Sequence, residues 1–269
     1  MHPLIPVEPT TQAGHYRLTV PKNLCVGPPD RLFMFGGVGL ASALAAVEHF
    51  TGRPTVWAAA QYLSYALPGT VLDLEVIVPV AGKYNSQARV ITRAGTQEII
   101  TVNAALGSRE GSPHHQWAEM PAVPPPEDCP EMTIRWQRDP DDMNSLWERR
   151  VATGSFGRER GTAPASVDGI GRLWVRPADP GLPIDRLVLA VMADFLPSGV
   201  GNALGANAGG NSLDNTIRYM NFVPTEWVLA DIRIHAVHAG FAHGRVHLFA
   251  QDGTLLATAS QSLIVRIHS

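Results

Sequence analysis

One pattern of helix and strands occurs twice along this chain, and a repeat of that kind constrains the fold more than any single motif. In the first half, Leu40 to Phe50 (LASALAAVEHF) reads as a strongly apolar helix, followed by YLSYALPGTVLDLEVIVPV, NSQARVITRAG and TQEIITVNAALG. In the second half, Leu187 to Phe195 (LVLAVMADF) is a helix of the same kind, followed after a glycine-rich loop by IRYMNFVPTEWVLADIRIHAV, FAHGRVHLFAQDG and TLLATASQSLIVRI. Each copy predicts a helix, a strand ending near Pro68 or Pro224, a long strand, and a closing hairpin turned at Ala94-Gly95 or Asp252-Gly253. Arg89 matches Arg245, and Asn103 is expected where Gln261 falls. A strand also precedes each helix, His15 to Val20 and Gly171 to Arg176.

Between the copies, GSPHHQWAEMPAVPPPEDCP (Gly111 to Pro130) is Pro-rich and aperiodic, and reads as a connector. The expected organisation is a first repeat over 1–110, a connector over 111–145 and a second repeat over 146–269. The strands alternate or run nearly continuously apolar, as a sheet covered on one face by a helix should. A buried helix wrapped by a curved antiparallel sheet is the hotdog unit. Two of them in one chain, pairing sheets edge to edge, give an α+β double hotdog in which the joined edges are hidden. A doubly wound α/β fold needs strand and helix to alternate throughout, whereas here each run of strands has one helix.

Composition narrows the function classes. The chain is 45% hydrophobic and 17% charged, with a formal charge of −3 and no Lys/Arg block, so neither disorder nor a nucleic-acid partner is expected. Met1 to Gly14 has no apolar core of a signal peptide, and Gly, Pro or charge cuts the apolar runs before a membrane span, so no membrane insertion is expected. Cys25 and Cys129 lie far apart, in no ligand spacing, and read as reduced structural thiols of a cytoplasmic protein. His235, His238, His243 and His247 are split by a turn near Gly240 and have no metal-site spacing. Gly37-Val38-Gly39 lacks the βαβ setting of a dinucleotide site, and no G-x-S-x-G elbow is present. No metal or cofactor is expected.

The stretches FGGVGLASAL, NSQARVITRAGTQEI, ADFLPSG, NSLDNTIRYMNF with EWVLADI, and QDGTLLATASQSLIVR, in this order, resemble the type II acyl-CoA thioesterase family of double hotdogs. The resemblance covers nearly the whole chain and implies a water-activating trio: Asp194 in ADFLP, Ser212 in NSLDN, where some members carry Thr, and Gln261 in ASQSL. It implies an acyl-CoA substrate cleaved to a carboxylate and coenzyme A, and a homo-oligomer built on the double-hotdog protomer.

The residues carry a chemical reading of their own. A carboxylate within an apolar helix is costly to bury without partners, and a hydroxyl and a carboxamide supply them. Asp194 is then a general base, and the Gly36-Gly37 loop before the first helix brings backbone N–H groups to the substrate oxygen. Plainer readings stand beside these: Asp194 as a helix C-terminal cap or as a solvent-facing residue near Pro197, Ser212 as turn chemistry in a Gly/Asn-rich loop, Gln261 as an exposed strand residue, and Asp214 as a rival acid. A hotdog hydratase pairs Asp with His, and Asp194 has no nearby His in sequence; a non-catalytic acyl-CoA-binding hotdog is the third alternative.

Overall fold

The computed structural model describes residues 2–109, 111–133, 140–157 and 163–268. Residues 134–139 of the expected connector lie outside the described residues. The described residues form fifteen strands and three α-helices, in chain order β1 (Glu8–Pro9), β2 (His15–Thr19), β3 (Cys25–Val26), β4 (Phe33–Met34), α1 (Gly36–Thr51), β5 (Thr55–Tyr62), β6 (Val71–Ala81), β7 (Asn85–Ala94) and β8 (Gln97–Gly107). The second half holds β9 (Trp147–Thr153), β10 (Ile170–Pro177), α2 (Arg186–Ala193), α3 (Gly199–Leu204), β11 (Ala208–Ser212), β12 (Asp214–Tyr219), β13 (Val228–His238), β14 (Phe241–Ala250) and β15 (Leu255–Ile267).

The main sheet runs β1-β2-β6-β7-β8-β5-β12-β15-β14-β13-β10-β9, with β11 alongside the far half of β15. Read from either end, this order lists corresponding elements of the two repeats. The halves join at the antiparallel pair β5–β12, where Ala59 lies opposite Thr216. Ala59 also pairs with Asn103, and Thr216 with Ser260. A pseudo-two-fold therefore passes through the Ala59–Thr216 pair, and the sequence repeat becomes a spatial one. The double-hotdog α+β architecture expected from the repeat is the one observed, with two central helices against one long antiparallel sheet.

Helix α1 is buried around most of its circumference, as a helix apolar on all sides must be, and it ends at Gly52 in the left-handed conformation. It begins at Gly36, four residues before the apolar run predicts, so Gly36 and Gly37 form its first turn and not a preceding loop. Glycines there carry no hydrophobic periodicity to betray a helix. Helix α2 starts at an Asp185 N-cap that accepts a 3.0 Å hydrogen bond from the Val188 N–H. It stops at Asp194, and a short 3₁₀ turn around Pro197 leads into α3. The whole stretch Arg186–Leu204 is long and apolar enough to cross a membrane by composition alone, yet it is interrupted at Asp194 and most of it is buried in the protein.

Two further details differ from the sequence reading. Ser212 closes a strand, β11, which pairs with β15 from Ala208↔Ile267 to Ser212↔Leu263. Glycine lets this strand pack closely, because a Cβ at Gly210 would lie 3.0 Å from Ile264 O and would displace the end of the Leu263 side chain. Asn103 does not correspond to Gln261. Arg89 pairs with Asn103 and Arg245 with Ser260, so Asn103 is the counterpart of Ser260 and faces outward. The inward counterpart of Gln261 is its neighbour, Ala104, since one residue of slip reverses the face.

The segment after Gly111 lies on the outer face of the second half. Gln116 donates to Gly253 O and accepts from Leu255 N–H, and Trp174 Nε1 donates to Pro124 O. Cys129, Trp174, Trp227, Leu229, Phe249 and Leu255 form an apolar cluster beneath it. Trp174 and Trp227 thus serve this outer layer and not the core between sheet and helices.

Candidate active site

Asp194 follows the last turn of α2 with its carboxylate turned into the protein, and only 4% of the residue is exposed. The fold supplies three donors to it. Ser212 Oγ donates to Oδ1 at 3.1 Å, Gln261 Nε2 donates to the same oxygen at 2.7 Å, and the Gly37 N–H donates to Oδ2 at 2.7 Å. Asp194 does stand at the C-cap position of α2, but its burial and that of Gln261 exclude the readings of either as a solvent-facing residue. The three expected trio members meet in space although 18 and 67 residues separate the partners of Asp194 from it.

The local path of the chain explains the convergence. Strand β15 changes partner along its length, from β12 at Ala257–Ser260 to β11 at Leu263–Ile267. Leu213, between the two partner strands, hydrogen-bonds the backbone of Ser262, and Asp214 Oδ1 accepts from the Ser262 N–H at 2.7 Å. This step directs Ser212 and Gln261 to one point. Asp214, the rival acid in the sequence, is occupied in holding the step.

The fourth component is the start of α1. Gly37 sits in the first turn, where N–H groups have no intrahelical acceptor and the helix dipole favours a negative charge. Close approach requires glycine: a Cβ at Gly37 would lie 2.8 Å from Val191 O and 3.0 Å from Asp194 Cβ, and one at Gly36 would lie 2.8 Å from Asp194 Oδ2. The Gly37 amide is therefore engaged by the carboxylate itself, a role that sequence reasoning missed because its acceptor is 157 residues away.

Burial raises the Asp194 pKa from 3.8 to about 6, opposed by the hydrogen bonds from Gln261, Gly37 and Ser212. The group is thus mostly ionised at neutral pH and accepts a proton easily, the property a general base needs. A carboxylate has about four lone-pair positions; among the described residues two donors take Oδ1 and one takes Oδ2, which leaves one position on Oδ2 for a further donor.

Two other side chains border the site. Tyr62, at the end of β5, donates to Gly36 O at 3.1 Å, and burial together with the Asp194 charge holds its phenol pKa well above the usual range. Its repeat mate Tyr219 donates to Arg186 O at the start of α2, at 2.7 Å. Asn215 is fully buried on β12. The alternation DNTIRY carries a usable signal for it: Asn215 shares a face with Ile217 and Tyr219, a polar residue on an apolar face.

No histidine hydrogen-bonds Asp194, Ser212 or Gln261 among the described residues. His235 and His243 stack across β13 and β14 with ring centroids 5.7 Å apart, and His247 lies further along β14. No group of three potential metal ligands occurs among the described residues.

Comparison with known proteins agrees with this geometry. No curated protein matches the chain significantly. The crystal structure of a protein from Novosphingobium aromaticivorans DSM 12444, assigned provisionally as a thioesterase, is 37% identical, superposes with a TM-score of 0.86 and shares 96% of this chain and 97% of its own. A hotdog-fold protein of unknown function from Alicyclobacillus acidocaldarius is 20% identical (TM-score 0.81, 97% and 96% coverage). An acyl-CoA thioesterase II from Mycobacterium marinum is 21% identical (TM-score 0.75, 99% and 98% coverage); at these identities the last two establish the fold alone. The family described as the acyl-CoA thioesterase C-terminal domain matches residues 126–265, over half of the chain, and includes Asp194, Ser212 and Gln261. With a buried carboxylate held by a hydroxyl and a carboxamide in the second of two hotdog repeats, this chain belongs to the double-hotdog acyl-CoA thioesterase family.

Proposed function

We propose that the protein hydrolyses acyl-CoA thioesters to a carboxylate and free coenzyme A, with Asp194 as general base. The observation that carries this reading is the buried Asp194 carboxylate, fixed by three donors and left with one lone-pair position on Oδ2. A water donating to that position has its own lone pair directed away from Asp194, toward a thioester carbon. Its oxygen forms the new C–O bond while its proton passes to Asp194. General-base assistance of this kind is worth about 10²–10⁴-fold.

The oxygen of the tetrahedral intermediate then needs a donor. Gly37 N–H is committed to Asp194, so the role falls to the neighbouring Gly36 N–H, in the first turn of α1 where the helix dipole favours negative charge. Collapse breaks the C–S bond, and the departing thiolate receives the proton held on Asp194. Ser212 and Gln261 keep the carboxylate oriented throughout. The absence of a hydrogen-bonded histidine at Asp194, among the described residues, disfavours hydration chemistry by an Asp–His pair. We also propose a cytoplasmic homo-oligomer of the double-hotdog protomer; the two buried free thiols suit a reducing compartment.

The test is release of CoA thiol from a panel of short-, medium- and long-chain acyl-CoAs by wild type and by Asp194→Asn. Turnover in the wild type that vanishes in the variant is the expected result. A wild type that binds CoA esters without releasing thiol from any of them would move the protein to the non-catalytic alternative. Size-exclusion chromatography with light scattering checks the oligomer.

A further inference from the structure

The β12–β15 register, extended one step beyond Thr216↔Ser260, brings Asn215 opposite Gln261, with both side chains on the inward face. Both residues are fully buried. Gln261 Nε2 serves Asp194, but among the described residues no group stands within hydrogen-bonding geometry of Gln261 Oε1 or of Asn215 Nδ2 and Oδ1, the Tyr62 phenol being the polar neighbour of Asn215. Buried amide groups left in this state are rare in native proteins, and three such atoms on two facing residues, one of them bonded to Asp194, are not a packing accident. A carboxamide has one donor end and one acceptor end, so the amide of Gln261 serves Asp194 only in one of its two orientations. A donor on its Oε1 selects that orientation.

Building on the hydrolytic reading above, we propose that Asn215 is a positioning residue for the reaction: it donates to Gln261 Oε1, directly or across one bound water, and so locks the Gln261 amide with Nε2 toward Asp194. The second N–H of the Asn215 amide faces the Tyr62 phenol oxygen, whose own proton goes to Gly36 O, which ties the start of β12 to the end of β5 beside the site. Asn215 touches no reacting atom in this scheme. It acts through Gln261 on the basicity and aim of the carboxylate.

Among the described residues, few groups face Asp194. They are the Gly37 N–H from α1, the Tyr62 phenol from β5, the Ser212 hydroxyl from β11 and the Gln261 amide from β15. Asp214 on β12 spends its carboxylate on the Ser262 N–H, and Arg149 lies over the ring of Phe195, 5.7 Å from its centroid. The bonds from Gln261, Gly37 and Ser212 are what oppose the effect of burial on Asp194. Loosening Gln261 therefore has one electrostatic consequence: the Asp194 proton is held more tightly.

The test uses Asn215→Leu, of similar size and without polar atoms, and Asn215→Ser, which keeps a donor and an acceptor. Two readouts are taken: steady-state kinetics against pH, and the Asp194 carboxyl carbon titrated by NMR, which needs no turnover. For Asn215→Leu we expect kcat down by about tenfold with KM changed by less than about twofold. We also expect the Asp194 midpoint and the acid limb of kcat/KM to move up by about half a unit or more. Asn215→Ser should recover part of both. An Asp194 midpoint unchanged in Asn215→Leu overturns the proposal, whether kcat is kept or falls together with the melting temperature. A wild type without thiol release defeats the hydrolytic reading instead, and the carboxyl titration still decides the link from Asn215 to Asp194.

Discussion

The two repeats share a frame but not a chemistry. Tyr62 and Tyr219 donate to the first residues of α1 and α2, Gly36 and Arg186, which sets the two helices in register. Eight residues on, Asp194 corresponds to Leu44. Gln261 corresponds to Ala104, and Ser212, opposite Leu263, corresponds to Thr55, which abuts Leu106 in the matching part of β8. The first repeat thus has apolar side chains where the second has the carboxylate and the amide, all three positions being buried, and a hydroxyl with no hydrogen-bond partner among the described residues. In return it supplies the glycine start of α1, whose Gly37 N–H binds the carboxylate of the other repeat. Among the described residues the trio is present once, and both repeats build its surroundings. Burying a carboxylate is tolerable where three donors converge on it; with Ala104 in place of the amide, a leucine is the cheaper occupant.

The sharpest way to test this contrast is to strike both repeats at matching positions. Asp194→Asn should lower kcat by about 10²–10⁴-fold. Leu44→Ala should instead cost about 2–5 kcal/mol of stability by opening a cavity, with kcat per folded molecule little changed. Kinetics and denaturant unfolding on the same two proteins separate these outcomes. A large specific loss of kcat in Leu44→Ala would mean that the first repeat retains chemistry.

The helix starts give the next largest effect. Gly37→Ala places a methyl against Val191 O and Asp194 Cβ, so α1 must shift and its amide must leave the carboxylate. A kcat loss of about tenfold or more is expected, in the range for removing one charge-assisted hydrogen bond at a reacting group. The matching residue at the other helix, Leu187, is already a large side chain, and Leu187→Ala should act on stability alone. Equal kinetic losses at both positions would erase the asymmetry.

Ionisation of Asp194 sets a pH dependence of opposite sign for activity and stability. Activity should rise with pH through about 6 as the base ionises. The folded pKa lies above the unfolded value of 3.8, so the unfolded chain releases its proton first and stability falls as pH rises through the interval between them. From pH 4.5 to 7, this residue should contribute a loss of about 2 kcal/mol, taking about 1.4 kcal/mol per pKa unit. Unfolding of wild type and Asp194→Asn at both pH values isolates it, since the variant lacks the slope. An identical pH dependence in the two proteins would contradict the raised pKa.

The smallest expected effect concerns the hydroxyl common to both repeats. Ser212→Ala should reduce kcat several-fold, while Ser212→Thr should preserve most of it, because Thr55 already shows that a β-branched hydroxyl residue fits the corresponding strand position. Paired kinetic measurements suffice, and a Thr variant as impaired as the Ala variant would show that the two strand positions are not sterically alike.

What the sequence disclosed follows from which interactions are periodic. The prolines at 68 and 224 and the arginines at 89 and 245 recur because strands and turns recur, and they gave the double hotdog. The face of a strand is a finer matter: Asn103 was off by a single residue from the inward position, and polar character alone did not distinguish it from Ala104. Glycines hid structure twice. They extend α1 to Gly36 and form part of β11, and in both places they allow close packing that no local propensity reports. Asp194, Ser212 and Gln261 were legible through family resemblance. The Gly37 donor and the Asn215–Gln261 pairing depend on contacts between elements far apart in the chain, and only the assembled sheet and helices reveal them.

The bond from Gly37 to Asp194 crosses from one repeat to the other, as does the β5–β12 seam beneath it. A chain whose halves had each folded without docking would therefore carry every residue of the site and still lack a properly held base. Catalytic competence is in this way a readout of completed assembly. Fusion of the halves into one polypeptide fixes their ratio and makes their meeting intramolecular, so competence does not depend on how much protein is present.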